Sequence, residues 1–278
     1  MMSFRAKLLK IPVHAILIFF SIISIFPFYY IIVTAFKTDV EYYENTYAPP
    51  ARWVFENIIK LIRDQGFLRS TLNSIIVTFL SILITLVISG LAAFAYSRMK
   101  FKFKEFLLSF TVSLTSVPII IVLIPIYVLA ARTKMLDSYL GVSLVYATFM
   151  LPICIFLLTS FFKSIPQELF DAASIDGCSR LQMLYKIVLP LSTPIITTLV
   201  VVNAAWVWNE LLLAMVFLKE PEMTTVTAAF GLIAGQHGGV SPVLIQAGAL
   251  FVVIPMILLF LAGQRYFRRG LFSGAIKE

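Results

Sequence analysis

The sequence predicts an all-α membrane protein with six transmembrane helices, and two observations carry that prediction. Of the 278 residues, 60% are hydrophobic and only 13% are charged, and the mean hydropathy is +0.96. A soluble domain is about half apolar and about a quarter charged, so the composition excludes an ordinary soluble enzyme, a disordered chain and a disulfide-stabilised extracellular domain. The second observation is that the apolar residues form long stretches almost free of charged side chains.

Six of these stretches are long enough, at about 1.5 Å per residue, to cross a hydrocarbon core about 30 Å thick. They are predicted at about 11–36, 72–97, 106–131, 138–162, 194–218 and 244–264. A polar loop is expected between 223 and about 243, because glycines and a proline interrupt the last apolar stretch. Several spans also contain proline, which neighbouring helices tolerate inside a membrane and which predicts kinks. These prolines are Pro27, Pro118, Pro125, Pro152 and Pro255.

The distribution of Lys and Arg predicts the orientation. With the N-terminus inside the cell, the inside segments 1–10, 98–105, 163–193 and 265–278 hold 14 of the 22 basic residues. Cytoplasmic loops carry such an excess in multi-pass proteins. We therefore expect cytoplasmic tails at 1–10 and 265–278 on either side of a membrane domain at 11–264. The net charge of +8 then fits contact with anionic lipid, and no nucleic-acid partner is expected.

Few residues suggest a disulfide, a metal site, a nucleotide-binding site or a catalytic site in this chain. Cys154 and Cys178 are too few for a disulfide framework and match no zinc spacing, and His14 and His237 are too far apart to suggest a metal pair. The sequence has no G-x-x-x-x-G-K-[ST] phosphate loop and no converging catalytic groups. We expect no catalytic residue, no metal site and no cofactor in this chain.

The inside segment 163–193 is predicted to form two short helices separated by a sharp turn. The spacing of Ser164 and Gln167 suits a capping box that opens a helix through 168–175, with Leu169, Ala172 and Ala173 on one face. Gly177 follows as a terminator. Ser179 and Gln182 repeat the capping box and open a second helix, which Pro190 ends. Patterning alone favours an ordinary amphipathic connector.

The residues of this segment resemble the EAA loop of ATP-binding-cassette (ABC) importer permeases. In those permeases the pattern is E-A-A, three residues, G, nine residues and I-x-L-P. Here D-A-A stands at 171–173, Gly177 follows after three residues, and I-V-L-P begins at Ile187. Asp171 replaces the usual Glu, which keeps the charge on a side chain one methylene shorter.

The resemblance implies the type I ABC importer permease fold, with 163–193 as the loop that couples to a separate ATPase. Its short helix would seat in a cleft of that ATPase. The coupling residues expected on this basis are Glu168, Asp171, Ala172, Ala173, Asp176, Gly177, Leu189 and Pro190.

Other segments resemble the carbohydrate-uptake, maltose-type branch of these permeases. They are Pro118 with Pro125 and Tyr127, Trp208-Asn209-Glu210, and the ending from Tyr266 to Lys277. This resemblance implies a non-catalytic subunit in a prokaryotic cell membrane that imports a sugar, such as an oligosaccharide. Its partners would be a second, different permease subunit, two cytoplasmic ATPase subunits that bind ATP and Mg²⁺, and an extracytoplasmic solute-binding protein. Permeases for polyols, glycerol phosphate or peptides are alternatives, as is an ion-coupled carrier.

Glu210 is the only formally charged residue within a predicted span, and intramembrane carboxylates mark a pathway or a buried pair. With Trp206, Trp208 and Asn209 it forms an aromatic and polar cluster that suits a sugar, and Asn203, two turns earlier, is expected on the same side. Three alternatives remain open. The tryptophans could anchor the outer interface, Asn203 could bridge two helices, and the partner subunit could hold the sugar site.

Two further segments have open interpretations. Apolar residues between Trp53 and Ile62 predict a short amphipathic helix within the outer loop 37–70, which either meets the solute-binding protein or lies on the bilayer. The tail 270–278 either reaches the ATPase, as the family ending implies, or frays.

Overall fold

The computed structural model describes residues 10–236 and 239–275, with side chains between 12 and 264, and no strand occurs within those ranges. The helices, in chain order, are α1 (Lys10–Ala35), α2 (Asp39–Glu44), α3 (Glu56–Asp64), α4 (Phe67–Arg98), α5 (Lys104–Ser113), α6 (Ile119–Arg132), α7 (Tyr139–Ser164), α8 (Gln167–Ile175), α9 (Arg180–Leu191), α10 (Thr193–Asn209), α11 (Leu212–Phe217), α12 (Val226–Ala234) and α13 (Pro242–Ala275). The N-terminal tail up to residue 9, His237 and residues 276–278 lie outside the described residues.

Four helices are long and apolar enough to cross a membrane: α1, α4, α7 and α13. Two bent pairs, α5 with α6 and α9 with α10, pass the same test together, which gives up to six spans if each pair is one span. The all-α fold predicted from the sequence is confirmed. The predicted third and fifth spans, however, are not single helices, and the helices there pass the length test only as members of bent pairs.

The predicted third span, 106–131, is broken by Pro118. The helical segments Lys104–Ser116 and Ile119–Arg132 meet at an angle of 100°. Pro118 is the N-cap of α6, and Val117 before it is extended, with φ −81° and ψ 114°. A proline provides no N–H and disfavours helical geometry in the residue before it, so the helix ends here and restarts in a new direction.

The predicted fifth span, 194–218, is also not one helix. It begins after a bend of 76° between α9 and α10, and α10 ends at Asn209, where Glu210 is extended with φ −72° and ψ 125°. The expected polar loop at 223–243 is wrong in its first half, because 226–234 form α12. Its sequence, VTAAFGLIA, is apolar and Val226 and Ala228 are fully buried. Burial therefore outweighs the helix-breaking tendency of the single Gly231.

The larger of two compact units, residues 69–229 and 254–278, is built around α7. Buried residues recur along this helix at three- and four-residue steps, as on a helix packed against neighbours; they include Val142, Tyr146, Leu158 and Phe162. Over an apolar stretch of 18 residues in α7, 56% of the residues are buried. Over the corresponding stretch in α1 the share is 6%. The apolar surface of α1 is therefore largely exposed.

The smaller unit comprises 1–68 and 230–253. The amphipathic helix expected near 53–62 is confirmed as α3: Leu61 is fully buried, whereas Ile59 is 58% exposed. The side-chain amide of Asn57 donates to the carbonyls of Ala35 and Lys37, at 2.9 and 2.8 Å, which satisfies acceptors left free at the end of α1. Lys37 is itself fully buried and donates to the carbonyls of Asn45 and Thr46.

The last helix, α13, passes the predicted span end at residue 264 and continues to Ala275. The first part of the predicted tail at 265–278 is therefore helical along its backbone.

Candidate functional site

The segment predicted as the coupling loop forms a helix, a tight turn and a second helix. At the end of α8 the Gly177 N–H donates to Ser174 O at 3.1 Å and the Cys178 N–H donates to Ala173 O at 2.9 Å. These two bonds make a Schellman motif. In this motif the first residue after the C-cap, here Gly177, takes a left-handed backbone conformation. Gly177 has φ +75°, a conformation that costs other residues about 1–2 kcal/mol.

Of the two predicted capping boxes, one is confirmed and one is wrong. The Ser179 hydroxyl accepts from the Gln182 N–H, and the Gln182 side chain accepts from the Ser179 N–H. Ser164 instead belongs to α7, and its hydroxyl donates to the carbonyl of Phe161 at 2.7 Å. Pro166 takes the N-cap position of α8, without a side-chain hydrogen bond. The start of α8 is therefore set by the fixed backbone angle of Pro166.

The two alanines of the EAA-like pattern do not share a face. Ala173 is buried together with Phe170, at 6% and 5% exposure, whereas Ala172 is exposed. Consecutive helical residues lie about 100° apart, so Ala173 packs within its own chain and only Ala172 is left for a partner. The other expected coupling residues are all exposed: Glu168, Asp171, Asp176, Gly177, Leu189 and Pro190. The segment therefore exposes three carboxylates, alongside the exposed cations Lys163, Arg180 and Lys186.

Arg98, the last residue of α4, contacts the start of this segment. Its guanidinium donates to the carbonyls of Phe162 and Ile165 and to the side-chain oxygen of Gln167 at 2.9 Å. The guanidinium carbon also lies 3.9 Å from the centre of the Phe170 ring, within the range of a cation–π interaction. Arg98 thus joins the ends of α4 and α7 to α8. The sequence indicated only its positive charge.

A cavity of about 190 Å³ lies beside Arg98. Its lining is partly polar and combines residues of α4, α8 and α9: Phe94, Arg98, Met99, Gln167, Phe170, Ser174, Arg180 and Met183. The cavity therefore lies where α4, α8 and α9 come together.

At the break between α10 and α11, the Glu210 carboxylate accepts three hydrogen bonds. The donors are the Leu213 N–H at 2.9 Å, the Ala214 N–H at 3.0 Å and the Tyr146 hydroxyl at 2.8 Å. The two amides are among those at the start of α11 that have no partner within the helix. Glu210 therefore caps α11 and ties the break to α7.

The aromatic and polar cluster expected around Glu210 is divided by helical geometry. Trp206 packs edge-on against Tyr146, with ring centroids 5.6 Å apart, whereas Trp208 is only 7% exposed. Asn209 is exposed, and its amide donates to Ala205 O at 2.8 Å. Since residues two apart lie on nearly opposite sides of a helix, Trp206 and Trp208 do not line one binding surface.

Asn203 and Glu210 both face α7, as the two-turn spacing predicts. The Asn203 amide donates to the Cys154 sulfur at 3.1 Å within the buried core. This contact corresponds to the alternative interpretation of Asn203 as a bridge between two helices.

Trp206 borders a larger cavity, of about 420 Å³. The lining is mainly apolar and includes the bend between α5 and α6; it comprises Leu114, Thr115, Val117, Ile119, Val122, Pro125, Ile126, Thr148, Phe149, Pro152 and Trp206. Of the five residues proposed for a pathway, Trp206 is the one in this lining.

Replacing Glu210 with alanine is expected to lower the free energy of unfolding by at least about 2 kcal/mol, because buried unpaired donors cost about 1–3 kcal/mol each. Tyr146→Phe is expected to cost only about 1 kcal/mol, since it removes one bond and leaves the cap intact. Thermal unfolding of the purified protein in detergent measures both. Glu44→Ala, at an exposed acid, is the matched control, and equal stability of the Glu210→Ala and Glu44→Ala proteins would disprove the capping role.

With this geometry described, the chain can be compared with known proteins. The family model of the binding-protein-dependent transport system inner membrane component matches residues 86–273. The chain belongs to this family. The matched range contains both the segment 163–193 and the Glu210 break of this inner membrane component.

Curated relatives extend the similarity over nearly the full length. The inner membrane component is 30% identical to the melibiose/raffinose/stachyose import permease protein MelC of Bacillus subtilis, over 90% of this chain and 91% of that one. It is 32% identical to the trehalose/maltose transport system permease protein MalG of Thermococcus litoralis, over 94% of each. The sulfoquinovosyl glycerol transport system permease protein SmoH of Agrobacterium fabrum is 32% identical over 91% of this chain and 89% of its own. The resemblance to ABC importer permeases is thereby confirmed.

The fold is also that of solved transporters. A chain of a bacterial ABC transporter involved in the import of the acidic polysaccharide alginate matches with a TM-score of 0.83 and 22% identity, over 96% of the inner membrane component and 99% of that chain. A chain from the bacterial alginate ABC transporter in complex with an alginate pentasaccharide-bound periplasmic protein matches with a TM-score of 0.68 and 16% identity, over 95% of each chain. These likenesses establish the architecture.

Sequence reasoning missed three residues of the inner membrane component that organise these sites: Arg98, Tyr146 and Cys154. In the sequence, Arg98 is a basic residue at the end of an apolar stretch. Such a residue indicates how the chain is oriented in the membrane, but it does not indicate which residues its side chain contacts. Tyr146 and Cys154 lie eight residues apart on α7, the most buried of the four long apolar helices, and contact Glu210 and Asn203. A search for polar side chains on the face of α7 could have found them.

Proposed function

We propose that the inner membrane component is one of two different membrane subunits of an ATP-driven importer. We also propose that α8 couples the movement of a separate ATPase to the membrane-spanning helices. The observation that carries this proposal is the surface of α8 and the turn after it. There, Glu168 and Asp171 on α8 and Asp176 directly after it are exposed, whereas Phe170 and Ala173 of α8 are buried. A rigid helix with one anchored and one acidic face suits docking to a basic cleft.

The proposed substrate class is a sugar, and an oligosaccharide fits best. Relatives such as MelC and MalG have names that specify melibiose, raffinose, stachyose, trehalose or maltose. Trp206 is an aromatic residue in the lining of the 420 Å³ cavity, whereas the Glu210 carboxylate is engaged as a cap. We propose that Trp206 borders the sugar path and that the partner permease completes it.

The remaining partners follow from the importer type. Two cytoplasmic ATPase subunits would bind ATP and Mg²⁺, so this chain would need no cofactor and perform no catalysis. An extracytoplasmic solute-binding protein would deliver the sugar; the alginate transporter has been solved in complex with a periplasmic protein that holds an alginate pentasaccharide. This arrangement places α8 and both termini in the cytoplasm of a prokaryotic cell.

ATP binding would close the ATPase subunits, draw α8 with them and rock the helices between inward-facing and outward-facing states. For ATP to drive this change, the ATPase must bind one state more tightly than the other. The carboxylates on α8 would contribute to that difference if they contact the ATPase in only one state.

Affinity purification of the tagged chain from its native cells tests the assembly, and uptake of radiolabelled melibiose, raffinose, maltose and trehalose into proteoliposomes tests the transport. We expect an ATPase subunit and a second permease to copurify, and ATP-dependent uptake of at least one of these sugars when the binding protein is present. Copurification without an ATPase would favour an ion-coupled carrier instead.

Asp171→Lys is expected to reduce copurification of the ATPase at least about tenfold, because reversing a charge at a docking surface commonly costs more than 1.4 kcal/mol. Asp64→Lys is the control. Like Asp171, Asp64 is an exposed acid on a short helix, but it belongs to α3. Undiminished ATPase binding by the Asp171→Lys protein would exclude a role for this carboxylate in docking.

A further inference from the structure

Arg98 occupies a position that the proposed coupling requires and that the EAA-like pattern does not include. It is the last residue of the long helix α4. Its side chain reaches the end of α7 and the start of α8 through the carbonyls of Phe162 and Ile165 and the side chain of Gln167. One guanidinium thus bonds to three acceptors, all of which lie at or next to the junction between a membrane-spanning helix and the coupling helix.

The reason for this contact lies in Pro166. In a continuous helix the carbonyl of Phe162 would accept a hydrogen bond from the N–H of residue 166, four positions later. Proline has no N–H, so the carbonyl of Phe162 keeps only the N–H of Ile165, at 3.3 Å, as a backbone donor, and α7 ends at Ser164. Arg98 provides a donor to this carbonyl and to the Ile165 carbonyl, 2.6 Å away. The junction is therefore completed by a side chain from another helix.

The contact continues to the exposed face of α8. The Gln167 oxygen accepts from Arg98, and the Gln167 amide nitrogen donates to the Asp171 carboxylate at 3.0 Å. Since the oxygen is held by Arg98, the amide is oriented with its nitrogen toward Asp171. Phe170, against which the guanidinium stacks, fixes the same helix from its buried side.

We propose that Arg98 is a positioning residue that makes α8 and the end of α4 move as one body, and that it orients Asp171 through Gln167. The proposal rests on the proposed coupling function, which identifies α8 as the element that the ATPase moves. Without this contact, movement of α8 would be absorbed at the Pro166 junction and would reach the spans only in part.

The geometry requires arginine rather than any cation. A planar guanidinium offers five N–H donors in a fixed fork, whereas the ammonium of lysine is a single point with a strongly held hydration shell. Lysine at position 98 could reach one carbonyl, but it would not serve three acceptors and stack on Phe170 at the same time. Arg98→Lys therefore keeps the charge and removes the proposed role.

The test measures, in the complete complex with its ATPase, the distance between residue 102, four residues after the end of α4, and Cys178, three residues after the end of α8. Spin labels are placed on the native Cys178, which is partly exposed, and on a Lys102→Cys variant, whereas Cys154 is fully buried and expected to stay unlabelled. Distances are recorded by pulsed electron resonance without nucleotide and with ATP in the absence of Mg²⁺. With Arg98 present, we expect one narrow distribution that is the same in both conditions.

In the Arg98→Lys and Arg98→Gln proteins we expect the distribution to broaden and to shift when ATP is added. The population with the original distance should fall at least about tenfold, equivalent to about 1.4 kcal/mol. Lys100→Gln, at an exposed cation two residues away, should keep the original distribution. Copurification of the ATPase, checked for every variant, separates loss of assembly from loss of positioning.

Two results would overturn the proposal while leaving the coupling function intact. One is an unchanged distribution in the Arg98→Gln protein under both conditions. The other is a shift on ATP addition when Arg98 is present, because α4 and α8 would then not move together. Failure of the ATPase to copurify with the unsubstituted chain would instead refute the coupling function itself.

Discussion

Replacing Gly177 with proline is expected to abolish ATP-driven uptake in the reconstituted complex, with a loss of at least about tenfold. Gly177 has φ +75°, whereas proline fixes φ near −65°, so the chain would leave α8 in a different direction. Proline also removes the N–H that donates to Ser174 O. The Schellman turn would be lost, and α8 and α9 would no longer present one surface to the ATPase. Uptake and ATP hydrolysis, measured in the same proteoliposomes, report the effect.

The control for this prediction is a pair of alanine substitutions. Gly66 has a similar conformation, with φ +63°, and like Gly177 has open space where a Cβ would stand, but it precedes α4 rather than following α8. Gly66→Ala and Gly177→Ala should each lower stability by about 1–2 kcal/mol, whereas only Gly177→Ala should lower the amount of sugar moved per ATP. Normal uptake by the Gly177→Pro protein would refute the coupling role of this turn.

The largest effect on stability is expected from Gly141→Ala. A Cβ at this position would lie 2.1 Å from the main-chain oxygen of Met135, far inside van der Waals contact. Overpacking typically costs about 1–3 kcal/mol, and we expect at least about 3 kcal/mol because the clash is with backbone. The loop between α6 and α7 has little freedom to yield. Lys134 and Asp137 within it have φ +56° and +51°, and the Asp137 side chain accepts hydrogen bonds from the Lys219 and Glu220 N–H groups.

Gly90→Ala provides the matched control, since it adds the same methyl group within α4 where nothing lies within 4 Å. It should leave stability unchanged or raise it by up to about 1 kcal/mol, the difference in helix propensity between glycine and alanine. The yield of monodisperse protein and the unfolding temperature in detergent measure both variants. Equal values for the two proteins would contradict the steric argument at Gly141.

Features encoded within a few neighbouring residues were predictable from the sequence. The turn at Gly177 and the capping box of Ser179 and Gln182 follow from local signals, and the structure has both. The apolar stretches likewise predicted the spans, because a membrane imposes both their length and their lack of charge. The first capping box failed because Ser164 was still part of α7, and local spacing cannot tell which of two adjacent helices a residue belongs to.

Features that depend on partners distant in sequence were not predictable. In the sequence, Glu210 is a single carboxylate within an apolar stretch, whether it lines a pathway or caps a helix. Its role depends on a contact with Tyr146, 64 residues earlier. Ala172 and Ala173 were indistinguishable until the packing of α8 buried one of them. The Pro118 bend was detectable as a kink, but its angle of 100° depends on how the helices on both sides pack.

The bond from Arg98 to the carbonyl that Pro166 leaves without its usual donor has a consequence for how these sequences diverge. With proline at 166, the Phe162 carbonyl receives its shorter hydrogen bond from Arg98 and only a 3.3 Å bond from the Ile165 N–H, so a change at either position weakens the junction. Among relatives, residues 98 and 166 should therefore covary: a lineage that replaces the proline regains a backbone donor and becomes free to vary the arginine. A variant library randomised at both positions and selected for growth on the transported sugar would recover the arginine mainly together with the proline.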